Sequence, residues 1–225
     1  MQHYNELLKA ILLWPGALIA TNVMQSPWVT VGDFLAVAVC AITGVLVAQR
    51  KQMDLVGVTV ISVVSGLGGG TLRDLLVGAP VFWVVEPQEV LVTMVAGWST
   101  FALCRQVHFK GTAFLVPDAL GLALFTVIGT EKTLATGHGW LVAAMMGVIT
   151  GTFGGVLRDV LCNDVPGLFI RTELYATAAL VGALGFIVCW VSGLPGWNCA
   201  LAGFSLVTGL RLAAVRWRWT APSFT

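Results

Sequence analysis

The sequence predicts an all-α polytopic membrane protein, with seven transmembrane helices arranged as two inverted three-helix repeats plus a seventh helix. Three observations lead there. The chain of 225 residues is 57% hydrophobic and 10% charged, with a mean hydropathy of +0.89, whereas a soluble domain carries about 25% charged residues. Apolar stretches of roughly 20 residues, the length that spans a bilayer, recur down the chain. Finally, the sequence matches itself when shifted by 85 residues.

The spans run from about Val31 to Ala48, Leu55 to Val77, Val90 to Cys104, Ala113 to Gly129, Gly139 to Cys162, Leu174 to Trp190 and Asn198 to Leu212. The chain divides accordingly into an N-terminal extension (1–30), a first three-helix repeat (31–110), a second (111–192), and a seventh helix with a basic tail (193–225). In the extension, Ile11 to Met24 is apolar but short and broken by Pro15 and Asn22. It lacks a small-x-small cleavage site. An interfacial or re-entrant helix is the first expectation for it, and an eighth span the second.

Basic residues set the orientation, because loops rich in Lys and Arg stay in the cytoplasm. With seven spans, Arg50, Lys51, Arg105, Lys110, Arg171, Arg211, Arg216 and Arg218 share one side. Lys132 faces Glu86, Glu89 and Glu131 on the other, where Glu131 and Lys132 read as an exposed loop. The C-terminus is therefore expected inside a prokaryotic plasma (inner) membrane. Trp28, Trp83, Trp140 and Trp197 fall near outer span ends, as an interfacial aromatic belt does. A net charge of +1 gives no reason to expect a nucleic-acid partner. The five cysteines form no CxxC pair or Cys/His set, and the three histidines are scattered. Catalytic residues, a resident metal and a cofactor are accordingly not expected, and an enzyme is not the reading.

In the repeat, Asp33 falls on Asp118 and Gly44 on Gly129. Gly66, Gly69 and Gly70 fall on Gly151, Gly154 and Gly155, and Leu72-Arg73-Asp74 on Leu157-Arg158-Asp159. Pro80 matches Pro166 with one residue inserted. Three spans per unit reverse the chain across the membrane, so the units are expected to be related by a pseudo-two-fold axis in the membrane plane. Inverted repeats of this kind place a transport site at their interface.

Two segments carry the chemistry: Gly66-Leu-Gly68-Gly69-Gly70-Thr71-Leu-Arg73-Asp74 and Gly151-Thr152-Phe-Gly154-Gly155-Val-Leu-Arg158-Asp159. On a helix, Gly66, Gly69, Gly70 and Arg73 share a face, as do Gly151, Gly154, Gly155 and Arg158. The glycines either pack helices closely or kink them, freeing carbonyls that must then line a cavity. Thr71-x-x-Asp74 also fits the start signal of a second half-helix.

Charges at membrane depth face a bundle interior or an aqueous cavity. Arg73, Asp74, Arg158 and Asp159 either line or gate a pore, or clamp the repeats together through Arg73–Asp159 and Arg158–Asp74 pairs. Neighbouring Arg and Asp on a helix are not expected to face each other. Asp33 and Asp118 open spans one and four, where helix N-terminal stabilisation is the simple reading. Ser62, Ser65, Thr71, Thr150 and Thr152 either line a polar path or bond back to their own helices. Tyr175 reads as an interfacial anchor.

These motifs, with Pro80-Val-Phe-Trp83, Arg171-Thr-Glu-Leu-Tyr175 and Arg211-Leu-Ala-Ala-Val-Arg-Trp217, resemble prokaryotic members of the trimeric intracellular cation (TRIC) channel family. That branch is also described as glycine-transporter-like. The resemblance covers about residues 31–224, and the Lys-Glu-Val signature of the eukaryotic branch is absent from span two. It implies a homotrimer with one pore per protomer, lined by kinked spans two and five. It implies conduction of monovalent cations, potassium above sodium, with membrane lipid as a further partner and a bound lipid within reach. The alternative is a secondary transporter of a small zwitterion such as glycine, its carboxylate held at half-helix N-termini.

Overall fold

The computed structural model describes residues 27–107, 114–169, 174–217 and 219. The expectations for residues 1–26, and those for Lys110, Arg171 and Arg218, lie outside these. The described residues form eight helices: α1 (Pro27–Arg50), α2 (Leu55–Val77), α3 (Phe82–Val85), α4 (Gln88–Gln106), α5 (Leu115–Ala135), α6 (Trp140–Leu161), α7 (Tyr175–Val191) and α8 (Gly196–Trp217). Four of them, α1, α2, α6 and α8, are long and apolar enough to cross a membrane by length and composition, and α7 is a shorter apolar helix. Helices α4 and α5 are diluted by Glu89 and Arg105, and by Asp118, Glu131 and Lys132. Large apolar side chains such as Leu91, Val95, Val188, Val191 and Leu201 are exposed on the outside, a surface suited to lipid rather than water.

Local signals set the ends of α2. The Asp54 carboxylate accepts from the Gly57 N–H at 2.8 Å, capping the first turn. Gly78 closes the helix with φ +71°, a left-handed conformation that glycine adopts without a Cβ penalty. The chain then turns through Pro80 into α3, the one-turn helix that the sequence reading did not anticipate, and this turn brings Phe82 back into the bundle.

Helix α5 is the centre of the fold, buried along most of its length and packed on α1, α6, α7 and α8. It extends six residues past the expected end at Gly129. Glu131 and Lys132 therefore lie not in an exposed loop but at 8% and 9% exposure. Their charge misled the sequence reading; Lys132 has a buried ion pair that offsets it, whereas Glu131 does not, as described below.

Helices α2 and α6 are continuous through their glycines. No second half-helix starts at Thr71, whose hydroxyl donates to the Leu67 carbonyl at 2.7 Å inside α2. The glycines serve close approach. A Cβ on Gly69 would strike the Thr150 carbonyl, and one on Gly154 the Ser65 carbonyl. The matched pair Gly44 and Gly129 acts alike: a Cβ there would press on Ile61 and Ser65, and on Met146 and Thr150, respectively. Residues paired by the 85-residue shift thus do paired packing work.

Candidate functional site

The α2–α6 crossing organises the charged residues. Because Gly69 meets Thr150 while Ser65 meets Gly154, the two helices run antiparallel there. Arg73 and Arg158 each lie four residues beyond the crossing, about 6 Å along the helix axis in opposite directions. They therefore sit at opposite ends of the bundle, and the expected Arg73–Asp159 and Arg158–Asp74 clamps do not form.

Each arginine instead binds its own neighbour. Arg73 Nε donates to Asp74 Oδ1 at 2.8 Å and Nη2 approaches the same oxygen at 2.7 Å. Asp74 Oδ2 accepts from the Phe82 N–H at 2.9 Å. Arg158 Nε donates to Asp159 Oδ1 at 2.9 Å, and Asp159 Oδ2 accepts from the Gly167 N–H at 3.2 Å. Adjacent residues do not share a helix face, but both motifs lie within the last turns of their helices. There the carboxylate reaches past the helix end to the next backbone N–H, and the long arginine stem folds back to meet it.

The two ends differ in what surrounds this shared motif. At the Arg158 end, Nη1 also reaches Asp118 Oδ1 at 3.3 Å and Thr43 Oγ1 at 3.4 Å. The Tyr175 hydroxyl lies beside Gly155, where a Cβ would come within 3.2 Å of it. The Arg211 guanidinium stands 4.9 Å over the Tyr175 ring, a cation–π contact. A cavity of about 230 Å³ opens here, lined by Arg50, Asp118, Arg158, Asp159, Tyr175 and Arg211.

At the Arg73 end, Lys132 Nζ binds Asp33 Oδ2 at 2.7 Å with both side chains buried. The Phe82 ring packs against Gly70, where a Cβ would lie 2.6 Å from it. Arg73 and Lys132 stand 5.8 and 5.6 Å from the centre of that ring. A cavity of about 20 Å³ lies here, lined by Arg73, Asp74, Phe82 and Lys132 among others. The cavity at the Arg158 end is thus much larger than the one at the Arg73 end.

The hydroxyls settle near the crossing. Ser65 Oγ donates to the Cys40 carbonyl of α1 at 3.0 Å. Thr150 and Thr152 bond back to Met146 and Val148 at 2.5 and 2.8 Å. Thr71 Oγ1 also accepts from the Trp83 indole at 2.8 Å. Ser62 is buried against Gly97, with no hydrogen-bond partner for its hydroxyl among the described residues. Gly68 meets the Leu157 side chain, while Gly66 and Gly151 approach carbonyls of Val37 and Leu122.

Sequence reasoning under-read Asp118, which holds Arg158 besides lying in the first turn of α5, Asp33, which holds Lys132 from the second turn of α1, and Tyr175, which is half-buried in the cavity wall. It missed Glu89 and Arg211 as part of the site. The matched positions of Asp33 and Asp118 in the repeat were the available signal.

The sequence model of the glycine transporter family matches residues 30–105 and 115–191, two stretches that begin 85 residues apart. The chain is 40% identical over 196 residues to the UPF0126 inner membrane protein YadS of Escherichia coli K12, covering 85% of this chain and 94% of that protein. Its fold is similar to the TRIC trimeric intracellular cation channel orthologue of Rhodobacter sphaeroides, with TM-score 0.82 and 40% identity over 86% of this chain and all of that one. A second TRIC cation channel of known structure gives TM-score 0.79 at 29% identity, over 87% of this chain and 97% of that one. The chain therefore belongs to the trimeric intracellular cation channel family, in the branch whose sequence model is described as glycine transporter.

Proposed function

We propose that the protein is a monovalent cation channel of the prokaryotic inner membrane, permeable to potassium with sodium less favoured. The carrying observation is the pair of buried charged clusters on either side of the α2–α6 crossing, with a cavity of about 230 Å³ at the Arg158 end and one of about 20 Å³ at the Arg73 end; in this reading they are the open and the occluded mouth of one passage. In this reading α1, α2, α4, α5, α6, α7 and α8 are the seven spans, the two three-helix units are inverted, and α3 is a plug element. The pore runs within each protomer of a homotrimer. The faces bearing Gly66, Gly68, Gly69, Gly70, Gly151, Gly154 and Gly155 line it, together with Ser62, Ser65, Thr71, Thr150 and Thr152, and these glycines let α2 and α6 bend on opening. Arg73–Asp74 and Arg158–Asp159 are the charged rings of its two mouths. Each arginine is neutralised by a carboxylate, which removes the electrostatic barrier that a bare guanidinium would present to a cation.

The Arg158 mouth faces the cytoplasm with the C-terminus, following the basic residues Arg50, Lys51 and Arg105. Membrane lipid covers the outside. A bound acyl chain fits the apolar groove lined by Trp28, Leu35, Val127, Trp197 and Phe204.

Planar-bilayer recording of the purified protein in asymmetric potassium chloride tests this. Discrete steps reversing near the potassium equilibrium potential are expected. Silence from folded, reconstituted protein, joined by saturable glycine uptake into proteoliposomes, would overturn it in favour of a transporter.

A further inference from the structure

The occluded mouth holds a carboxylate that the ion pairs do not use. Glu89, in the first turn of α4, is only 3% exposed, and its Oε2 has no hydrogen-bond partner among the described residues. Helices α1 and α4 pack in parallel, with Val37 and Thr93 both against Gly66 and Gln49 bonded to the Cys104 carbonyl, so Glu89, one turn before Thr93, stands level with Asp33, one turn before Val37. Both nearby cations are already bound, Lys132 to Asp33 and Arg73 to Asp74. The buried groups gathered here are three carboxylates, Asp33, Asp74 and Glu89, against two cations, Arg73 and Lys132, while Glu131, buried one residue before Lys132, faces the start of α8 instead.

The other mouth does not share this imbalance. In the 85-residue register of α4 and α7, where Gly97, Phe101 and Cys104 fall on Gly182, Phe186 and Cys189, the position equivalent to Glu89 is the uncharged Leu174, next to Tyr175. There the buried carboxylate Asp118 and the partly buried Asp159 stand against the two buried guanidiniums Arg158 and Arg211. One end of the bundle thus carries an excess buried carboxylate and the other a neutral ring with a phenol.

A buried carboxylate oxygen without a partner is costly, and one monovalent cation would cancel the excess charge. We infer that Glu89 and Asp33 form a binding site for a monovalent cation at the Arg73 mouth, which the Lys132 ammonium partly fills in this structure. Glu89 Oε2 is the oxygen free to coordinate. Two carboxylates make a weak, exchangeable site rather than a divalent-metal centre; among the described residues no group of three or more His, Cys, Asp or Glu is placed to hold a metal. The inference deepens the channel reading and rests on it for its physiological meaning: the site would concentrate the permeant ion where the passage is narrowest.

Two readouts test it, one independent of conduction. In detergent, wild-type protein is expected to melt several degrees higher in potassium chloride than in N-methyl-D-glucamine chloride of equal ionic strength, as a ligand that binds only the folded state requires. Glu89→Gln should lose that potassium-specific shift, while Glu86→Gln, at an exposed position of the same mouth, should keep it. In bilayers, Glu89→Gln should lower conductance in dilute potassium chloride by roughly three- to tenfold, because the local cation concentration falls. Lys132→Met, which vacates the ammonium position, should enlarge the potassium shift. It decides the matter if Glu89→Gln does not fold: no enlargement overturns the site. If the wild type shows the shift but no current, the channel reading fails and the site stands. If the wild type conducts and Glu89→Gln leaves both readouts unchanged, the site is overturned.

Discussion

Gly69 and Gly154 face each other across the α2–α6 crossing, each held against a backbone carbonyl of the opposite helix, Thr150 for Gly69 and Ser65 for Gly154. The relationship is reciprocal under the 85-residue shift, so one contact made twice fixes both the separation of the helices and their antiparallel direction. It also decides where the charges go, because the arginines four residues later are sent to opposite ends.

Alanine at either glycine is therefore expected to force the helices apart. The atom met is backbone, which cannot rotate away. Overpacking of this kind costs about 1–3 kcal/mol. Thermal unfolding in detergent should show Gly69→Ala and Gly154→Ala lowering the midpoint. Gly78→Ala, which meets no neighbour, should lower it only through the strain of its positive φ. A crossing mutant as stable as the wild type would remove the close-approach argument.

The arginine motifs predict a particular pattern of coupling. Asp74 holds Arg73 on one oxygen and the Phe82 N–H on the other. Removing its charge strands a guanidinium at 2% exposure. Breaking a buried pair in this way costs about 3–5 kcal/mol, so Asp74→Asn should be strongly destabilising. Double-mutant cycles should find coupling between Arg73 and Asp74 and between Arg158 and Asp118. Arg73 and Asp159 should be additive within about 0.5 kcal/mol, as for distant sites. Coupling between the last pair would restore the cross-repeat clamp.

Much of this was legible in the sequence because repeated features signal themselves twice. The shift by 85 residues singles out Gly69, Gly154, Gly44, Gly129 and both Arg-Asp pairs, and the structure gives each matched glycine a matched contact. What the sequence did not reveal lies where the repeats differ. Lys132 corresponds to Val47, and Glu89 to Leu174, so neither is picked out by self-similarity. Helix period also misjudged Arg73 and Asp74, since neighbours on a helix diverge by about 100°. The extra reach comes from the helix end, where Asp74 is turned toward the start of α3. Glu131 and Lys132 read as a loop because two charges at a span end usually mark one. Here α5 carries them inward, since Asp33 on α1 is positioned to take the ammonium.

Tyr175 offers a test of the cavity wall. Its ring lies under Arg211 and its hydroxyl beside Gly155 near Arg158. Tyr175→Phe keeps the ring and should retain most stability. Tyr175→Leu loses the cation–π contact, worth about 2 kcal/mol where desolvated, and should lower the unfolding midpoint further. In bilayers the Phe variant should change conductance, because it alters the only polar group the ring presents to the 230 Å³ cavity. Equal stability of the Phe and Leu variants would show that Arg211 does not depend on the ring.

Glu131 provides the sharpest stability prediction. It is 8% exposed and its Oε2 has no hydrogen-bond partner among the described residues. Lys132, though adjacent, points to Asp33 instead. The setting of Glu131 is the Trp28 indole and the first residue of α8: a Cβ on Gly196 would lie 3.4 Å from Glu131 Oε1 and 3.5 Å from the Trp28 ring. Two effects compete there. The N-terminus of α8 favours a negative charge by about 0.3–1 kcal/mol. Desolvating a carboxylate with an unpartnered oxygen costs several kcal/mol, so desolvation wins. Glu131→Gln keeps the shape and removes the charge, and should raise the unfolding free energy by about 1 kcal/mol. Glu131→Ala also removes the charge but leaves a void between α5 and α8, and should give back that gain. Unfolding of both variants in one detergent at pH 8 would show the order Gln, wild type, Ala. A Gln variant less stable than the wild type would mean that the carboxylate is held by the α8 terminus more strongly than burial penalises it.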